Sequence, residues 1–203
     1  VLFRSTDAVA AHLRKTTPPR RRILGIAGEP GAGKSTIAAD LAAQLGAALL
    51  PMDGYHLPQA RLVELGRRDR MGAPDTFDVS AFVLTLADLR VGAATVFAPS
   101  FDRNVEEPVA DVIAIQPEVE TVIVEGNYLL LDSGGWGEVA DLLDSTFFVE
   151  VDRGIRLDRL IARHERFGKT PHQARAWSLG PDEANARLIR TTAERADHRI
   201  RLD

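Results

Sequence analysis

Short apolar runs alternate along this chain with segments in which apolar residues recur every three or four positions. Residues 23–27 form the first run, short and apolar enough for a buried strand. Residues 35–45 follow with helical spacing, and Gly46 stands where a helix C-cap glycine belongs. Residues 47–52 predict a second strand, 95–98 a third, 112–115 another in a hairpin-like excursion, and 121–125 and 145–151 two buried ones. A helix is predicted over 5–16, with Val9 and Leu13 on one face and residues 16–19 ending it. Others are predicted over 79–91 behind Asp78 as N-cap, over 153–165 and over 182–195, and residues 199–202 are expected to close the sheet. The segments 53–77 and 167–181 are polar and irregular and read as insertions or lids. Strands alternating with helices predict an α/β fold, a mostly parallel sheet with helices on both faces, in a single domain over 1–203.

Composition narrows the class. At 203 residues and 45% hydrophobic content, the chain can bury one full core. No apolar run approaches the ~20 residues of a membrane span, and residues 1–15 lack the apolar centre of a signal peptide. Without cysteine there is neither a disulfide framework nor a thiolate metal site. A net charge of −4 argues against a nucleic-acid partner. The expectation is a cytoplasmic protein with no membrane partner; a homo-oligomer is compatible with the sequence. Lysine occurs only at Lys15, Lys34 and Lys169, so the abundance of arginine reflects composition as much as function.

Residues 28–35, Gly28-Glu29-Pro30-Gly31-Ala32-Gly33-Lys34-Ser35, fit G-x-x-x-x-G-K-[ST] and stand between a predicted strand and a predicted helix. That context makes them a phosphate-binding P-loop. Gly28, Gly31, Ala32, Gly33, Lys34, Ser35 and Thr36 are expected to cradle the phosphates of ATP at the helix N-terminus. Lys34 would bridge the β- and γ-phosphates and Ser35 would ligate Mg²⁺. Glu125 ends an apolar strand, where a carboxylate can hold a Mg²⁺-bound water or be an ordinary strand-end residue. Asp53 ends the second strand before Gly54, as a base for an acceptor hydroxyl or as part of a turn.

Four segments then carry a resemblance: 52–56 (Met-Asp-Gly-Tyr-His), 73–78 (Ala-Pro-Asp-Thr-Phe-Asp), 101–103 (Phe-Asp-Arg) and 124–128 (Val-Glu-Gly-Asn-Tyr). In this order, and together with the P-loop, they make residues 23–202 similar to the uridine kinase, phosphoribulokinase and pantothenate kinase family of P-loop kinases. The resemblance implies a three-layer P-loop NTPase sandwich with a small lid at about 156–171 and an acceptor-side insertion at about 53–77. It implies Asp53 as general base, Glu125 in the magnesium site, and lid arginines Arg156, Arg159 and Arg163, followed by Arg166 and Lys169. Arg159 and Arg163 are the best catalytic candidates, because guanidinium forks suit a transferring phosphoryl group; a solvated helix face paired with Asp152, Asp158 and Glu165 is the competing account. Tyr55, His56, Asp75 and Arg103 fall on the acceptor side. His56 could equally be a hydrogen-bonded loop residue.

The departures bear on the acceptor. Uridine kinases carry an Asp–His pair where this chain has Gly72 and Ala73, and a base-recognising histidine after the Phe-Asp pair where it has Arg103-Asn104-Val105. The pattern disfavours uridine and is nearest to the nucleoside-kinase-like and fructose-transport-kinase-like branch. The implied function is ATP-dependent transfer of the γ-phosphoryl group to a hydroxyl of a sugar, a nucleoside-like or a pantothenate-like small molecule. Arg103 suggests an acceptor bearing an anionic group or many hydroxyls, or a salt bridge to Glu106 or Glu107. A phosphorylated acceptor stays open through Arg61, Arg67, Arg68 and Arg70, as does a nucleotide-gated regulator on the same fold. No Asn-Lys-x-Asp guanine motif occurs, and the glycine pair at 134–135 only superficially resembles a transporter ATPase signature. His164 is expected to be exposed, Trp177 to pack the last helix, and Asn185 and Arg187 to approach the adenine.

Overall fold

The computed structural model of the protein describes residues 1–16 and 20–202. In chain order its elements are β1 (Leu2–Phe3), α1 (Thr6–Leu13), β2 (Arg22–Gly28), α2 (Lys34–Leu45), β3 (Ala48–Pro51), α3 (Gln59–Glu64), α4 (Val79–Val91), β4 (Val96–Asp102), β5 (Glu107–Ile115), β6 (Thr121–Gly126), α5 (Gly137–Asp141), β7 (Ser145–Val149), α6 (Arg153–Arg166), α7 (Pro171–Leu179), α8 (Pro181–Arg190) and β8 (His198–Ile200). Six strands form an all-parallel sheet in the order β1-β8-β7-β2-β6-β3, and β4 and β5 pair as a separate antiparallel hairpin.

Every residue of β2 is buried, which its apolar sequence predicts for a central strand covered on both faces. The two-residue period divides the core. Ile23, Ala27, Val122 and Val124 point to one layer with Phe82, Leu86 and Leu89 of α4, Val139 of α5 and Ile189 of α8. Leu24, Ile26, Ile123, Phe147 and Val149 point to the other, with Val9 and Leu13 of α1 and Ile37 and Leu41 of α2.

Register positions the chemistry. Glu125 on β6 stands level with Ile26 of β2 and with Pro51 of β3. Because the strands are parallel, Gly28, Asp53 and Glu125 come to the same carboxyl edge, where open α/β sheets bind ligands.

Several predicted elements differ. The segment 53–77 contains α3 and short 3-10 turns, too brief for a readable period. The segment 167–181 contains α7, capped by Thr170 and Gln173 with Pro171 at its first position. The hairpin strands are longer than 95–98 and 112–115, because most of β5 is only partly buried or exposed and its polarity hid it. β7 stops at Val149 and α8 at Arg190. β8 lies inside the sheet between β7 and β1, so the final predicted strand does not form its edge. α1 ends at Leu13, before the predicted stop at 16–19, of which residues 17–19 lie outside the described residues. No described helix is long and apolar enough to cross a membrane.

Two close contacts hold the site in shape. A Cβ on Gly54 would lie 2.3 Å from the Pro99 carbonyl oxygen, so the hairpin backbone rests directly on the turn that carries Asp53. A Cβ on Gly31 would lie 2.7 Å from Leu160 Cγ and 2.8 Å from the Arg156 carbonyl oxygen, so α6 rests on the phosphate loop. Arg156 is fully buried there. Its Nε lies 3.0 Å from Glu29 Oε2, and its Nη2 donates to Glu183 Oε2. Arg190 donates both Nε and Nη2 to the Glu29 carboxylate, each at 2.8 Å, and Arg153 Nε donates to Glu183 Oε1 at 3.1 Å. Burial works against the Glu183 charge, but Arg153 and Arg156 outweigh it and hold the carboxyl below its ordinary value.

Arg156→Met is expected to cost about 3–5 kcal/mol in urea unfolding, because it strands buried carboxylate charge while keeping much of the packing, and Arg156→Ala more because it loses the packing as well. The stability that Glu183 contributes should be complete above its ordinary value of 4.5 and fade as pH falls below it, and Glu183→Gln should flatten that acid limb. Gly54→Ala should cost about 1–3 kcal/mol, read by the same unfolding, as the hairpin is pushed off its seat.

Candidate active site

The phosphate loop leaves β2 at Gly28 and enters α2 at Lys34, with Gly33 as the N-cap. Lys34 Nζ donates to Asn127 Oδ1 at 2.7 Å and to the Glu29 carbonyl at 3.1 Å. Ser35 Oγ donates to Glu125 Oε1 at 3.0 Å. Burial lowers Lys34 to about 8, against the pull of Glu125 and Asp53, which favour its charged form. Burial raises Glu125, and Asp53 adds to the rise while Lys34 opposes it. Carboxylate, ammonium and hydroxyl therefore share one partly dry site at the carboxyl edge of the sheet.

A cleft of about 310 Å³ opens over this loop, lined by Gly31, Gly33, Lys34, Ser35 and Thr36 below and by Arg103, Arg159 and Arg163 above. Arg159 Nη1 lies 3.4 Å from where a Gly33 Cβ would sit. A neighbouring hollow of about 280 Å³ runs along Ala32, Ile37, Val149, Val151 and Leu202, with Thr36, Glu150 and Arg159 at its polar side. A positively charged cradle with a partly apolar hollow beside it has the layout a nucleoside triphosphate needs. The donor set also suits Mg²⁺, a hard cation commonly held by one or two carboxylates together with substrate phosphates. Of the α6 arginines that the resemblance assigns to a lid, Arg156 does not face the cradle; its burial against Glu29 and Glu183 makes it a structural tie.

A smaller cavity of about 130 Å³ adjoins the cradle, sharing Lys34, Ser35, Arg103 and Arg163 with it, and Asp53 lines this cavity. Asp53 Oδ2 accepts from Arg103 Nη2 at 2.6 Å. Burial pushes the Asp53 carboxyl up, but Arg103, His56, Arg163 and Lys34 together outweigh it and hold it below its ordinary value. His56 lines the cavity, its ring 4.0 Å from Phe77 and 4.7 Å from Phe101 between centroids. Its Nδ1 lies 2.7 Å from the Asp53 carbonyl, and burial lowers its affinity for a proton.

Two sequence-assigned acceptor residues lie elsewhere. Tyr55 points into the core, where it packs on Phe82 and donates to Thr85 Oγ1 at 2.8 Å. Asp75 is exposed and ion-paired with Arg67 and Arg70. Arg103 meets Asp53, not Glu106 or Glu107, and Glu106 is taken by Arg68 and Lys169. Arg61 pairs with exposed Glu64, so of the four basic residues at 61–70 only Arg68 lines the cavity.

The far wall comes from residues that sequence reasoning placed differently or passed over. His164, expected to be exposed, is part-buried with Nε2 2.7 Å from Asp182 Oδ2. Trp177 lines the cavity under Lys169, whose Nζ stands 5.3 Å from the ring centroid. Asn185, expected near adenine, lines the acceptor side, its Nδ2 3.7 Å from where a Gly72 Cβ would lie, and Arg187 is exposed. Asn127 was visible in the Glu-Gly-Asn run after β6, but only the fold brings it to Lys34.

No family model matches the chain. An ATP-dependent kinase-like protein, notR', of Aspergillus versicolor is 42% identical over 133 residues, 62% of this chain and 77% of that protein. The uncharacterized protein YggC of Escherichia coli is 34% identical over 194 residues, 92% of this chain and 80% of its own length. A candidate uridine kinase of Schizosaccharomyces pombe is 35% identical over 160 residues, 71% and 67% of the two chains. Among solved structures, a candidate fructose transport system kinase from Silicibacter sp. TM1040 superposes with a TM-score of 0.90 at 33% identity, covering 97% of this chain and 99% of that one. The chain belongs to the family of P-loop kinases that includes the uridine and pantothenate kinases.

Proposed function

We propose that the protein is an ATP-dependent kinase that transfers the γ-phosphoryl group to a hydroxyl of a small metabolite. The observation that carries this reading is Asp53, a carboxylate held ionised in the second cavity by charges that include Lys34 and Arg163 of the phosphate cradle. A hydroxyl in that cavity would meet both a base and the γ-phosphate.

In the proposed reaction the acceptor oxygen bonds to the γ-phosphorus as the bond from that phosphorus to the β–γ bridging oxygen breaks, leaving ADP. Asp53 takes the hydroxyl proton. Lys34 and Arg163 offset the charge on the transferring group, and Arg159 holds the outer phosphates. Ser35 and Glu125 would hold Mg²⁺, which supplies neutralisation of phosphate charge when bound with ATP. The chain acts as a single kinase unit. The turns of α6 from Arg163 onward, with the start of α7, act as a lid that excludes water; the earlier turns, tied down through Arg156 and Leu160, act as its base.

For the acceptor we favour a molecule other than a pyrimidine nucleoside. Gly72 offers only backbone, and its carbonyl accepts from Tyr128 Oη at 2.5 Å; Ala73 has no polar side chain. These are the two positions at which the resemblance calls for an Asp–His pair.

Coupled ADP-release assays with ATP and Mg²⁺ across sugars, nucleosides, hydroxy acids and pantothenate-like alcohols test the reading. At least one acceptor should raise ADP formation above background. Asp53→Asn should lower kcat with it by about 10²–10⁴-fold while binding of a non-hydrolysable ATP analogue is kept. An absence of any productive acceptor, or full activity in Asp53→Asn, rejects the proposal.

A further inference from the structure

The acceptor cavity holds more cationic groups than a neutral alcohol needs, and three of them, Arg68, Arg103 and Lys169, are masked by carboxylates from the protein itself. Glu106 sits at the tip of the β4–β5 hairpin with a left-handed φ of 53°, a backbone region that non-glycine residues seldom occupy. Its carboxylate spans two elements. Arg68 Nη2 from the acceptor-side insertion donates to Oε2 at 2.5 Å, and Lys169 Nζ from the lid approaches Oε1 at 3.5 Å. Gln59 holds the hairpin tip in this pose, donating Nε2 to the Val105 carbonyl at 2.8 Å while its Oε1 accepts from Arg68 Nε at 3.0 Å. Burial opposes the Glu106 charge, yet Lys169 and Arg68 outweigh it and keep the group ionised.

Three residues earlier on the same hairpin, Arg103 covers the Asp53 carboxylate. A base in that state has a lone pair engaged by a guanidinium and a lowered affinity for a proton, the opposite of what proton abstraction needs. The cavity also continues into a larger cleft of about 680 Å³ between hairpin tip and lid. Arg68, Arg103, Glu106, Lys169 and Trp177 line both spaces and so form their junction.

We propose that the acceptor carries, besides its reacting hydroxyl, an anionic group, phosphate or carboxylate, that displaces the Glu106 carboxylate from Arg68 and Lys169 and draws Arg103 away from Asp53. Glu106 is then a built-in occupant of an anion subsite, and the base is released only when an acceptor of the right charge arrives. Water carries no such group, so the arrangement leaves Asp53 masked when only ATP is bound and limits wasteful hydrolysis. The body of the acceptor lies against Trp177, beneath the Lys169 ammonium that a cation–π contact already holds there. This inference rests on the kinase reading for its purpose, but the subsite is testable without turnover.

Two measurements separate them. In the first, matched acceptors that differ only in the anionic group, such as ribose and ribose 5-phosphate, glucose and glucose 6-phosphate, or glycerol and glycerate, are compared by ADP release. The anionic member of at least one pair should exceed its neutral partner at least tenfold in kcat/KM; the phosphate and carboxylate pairs tell the two sources apart. Arg68→Ala should raise KM for that member at least tenfold more than for its partner. Glu106→Gln should lower the KM by threefold or more, a gain that general damage would not produce. In the second, inorganic phosphate is titrated by calorimetry with the P-loop filled by a non-hydrolysable ATP analogue and Mg²⁺. Phosphate should bind, more tightly in Glu106→Gln and at least tenfold more weakly in Lys169→Ala. Phosphate binding with this variant pattern but no turnover of any acceptor would keep the subsite and remove the kinase reading. Turnover of neutral acceptors that equals or exceeds that of their anionic partners would overturn the subsite and keep the kinase. Absence of phosphate binding at the loaded protein overturns it as well.

Discussion

A single buried guanidinium organises the nucleotide half of this molecule. Arg156 has no exposed surface, and it can be buried only because Glu29 from the phosphate loop and Glu183 from α8 meet it. A charge removed from water needs such partners to be tolerated at all. The consequence is mechanical: phosphate loop, α6 and α8 are joined at one point. Gly31 reinforces the joint, since the α6 backbone occupies the space a side chain would need. Arg159 and Arg163, one and two turns further along α6, are thereby carried over the phosphate cradle.

The acceptor half is organised by a different constraint, the antiparallel hairpin. It stands apart from the parallel sheet and touches the site through its Pro99 backbone, which packs on Gly54, and through the side chains of Arg103 and Glu106. Each side chain forms an ion pair with a group from another element, Asp53 after β3 for Arg103, and Arg68 and Lys169 for Glu106. Partly exposed ion pairs of this kind contribute little net stability, commonly under about 1 kcal/mol. Their weakness suits the proposed exchange with an anionic group of the acceptor. The strongly tied network around Arg156 and the loosely tied one around Glu106 thus divide the site into a fixed donor side and a yielding acceptor side.

Much of the donor side was legible in the linear sequence. The phosphate loop, the strand ending in Glu125 and the turn at Asp53 are short-range patterns, and a parallel sheet brings strand ends together whatever the details. The Ser35–Glu125 contact follows almost directly from register. The acceptor side was not legible in that way. Arg61, Arg67, Arg68 and Arg70 read alike in sequence, yet three of them are spent on exposed carboxylates and one enters the cavity. Tyr55 and His56 are neighbours, and the 3-10 turn at Met52–Tyr55 sends one into the core and the other into the site.

The amino-acid sequence by itself therefore determined the fold class, five of the six runs that form the sheet and the identity of the phosphate-binding loop, because these depend on periodicity and on residues close in the chain; the two-residue β1 was too short to read. Tertiary structure alone decided which charges meet. Arg156 with Glu183, Arg103 with Asp53 and Glu106 with Lys169 are separated by 27, 50 and 63 positions. Whether an arginine is a structural tie, a phosphate ligand or a solvated side chain depends on what lies opposite it and how much water remains. Both are set by packing between elements and not by the residues beside it in the chain.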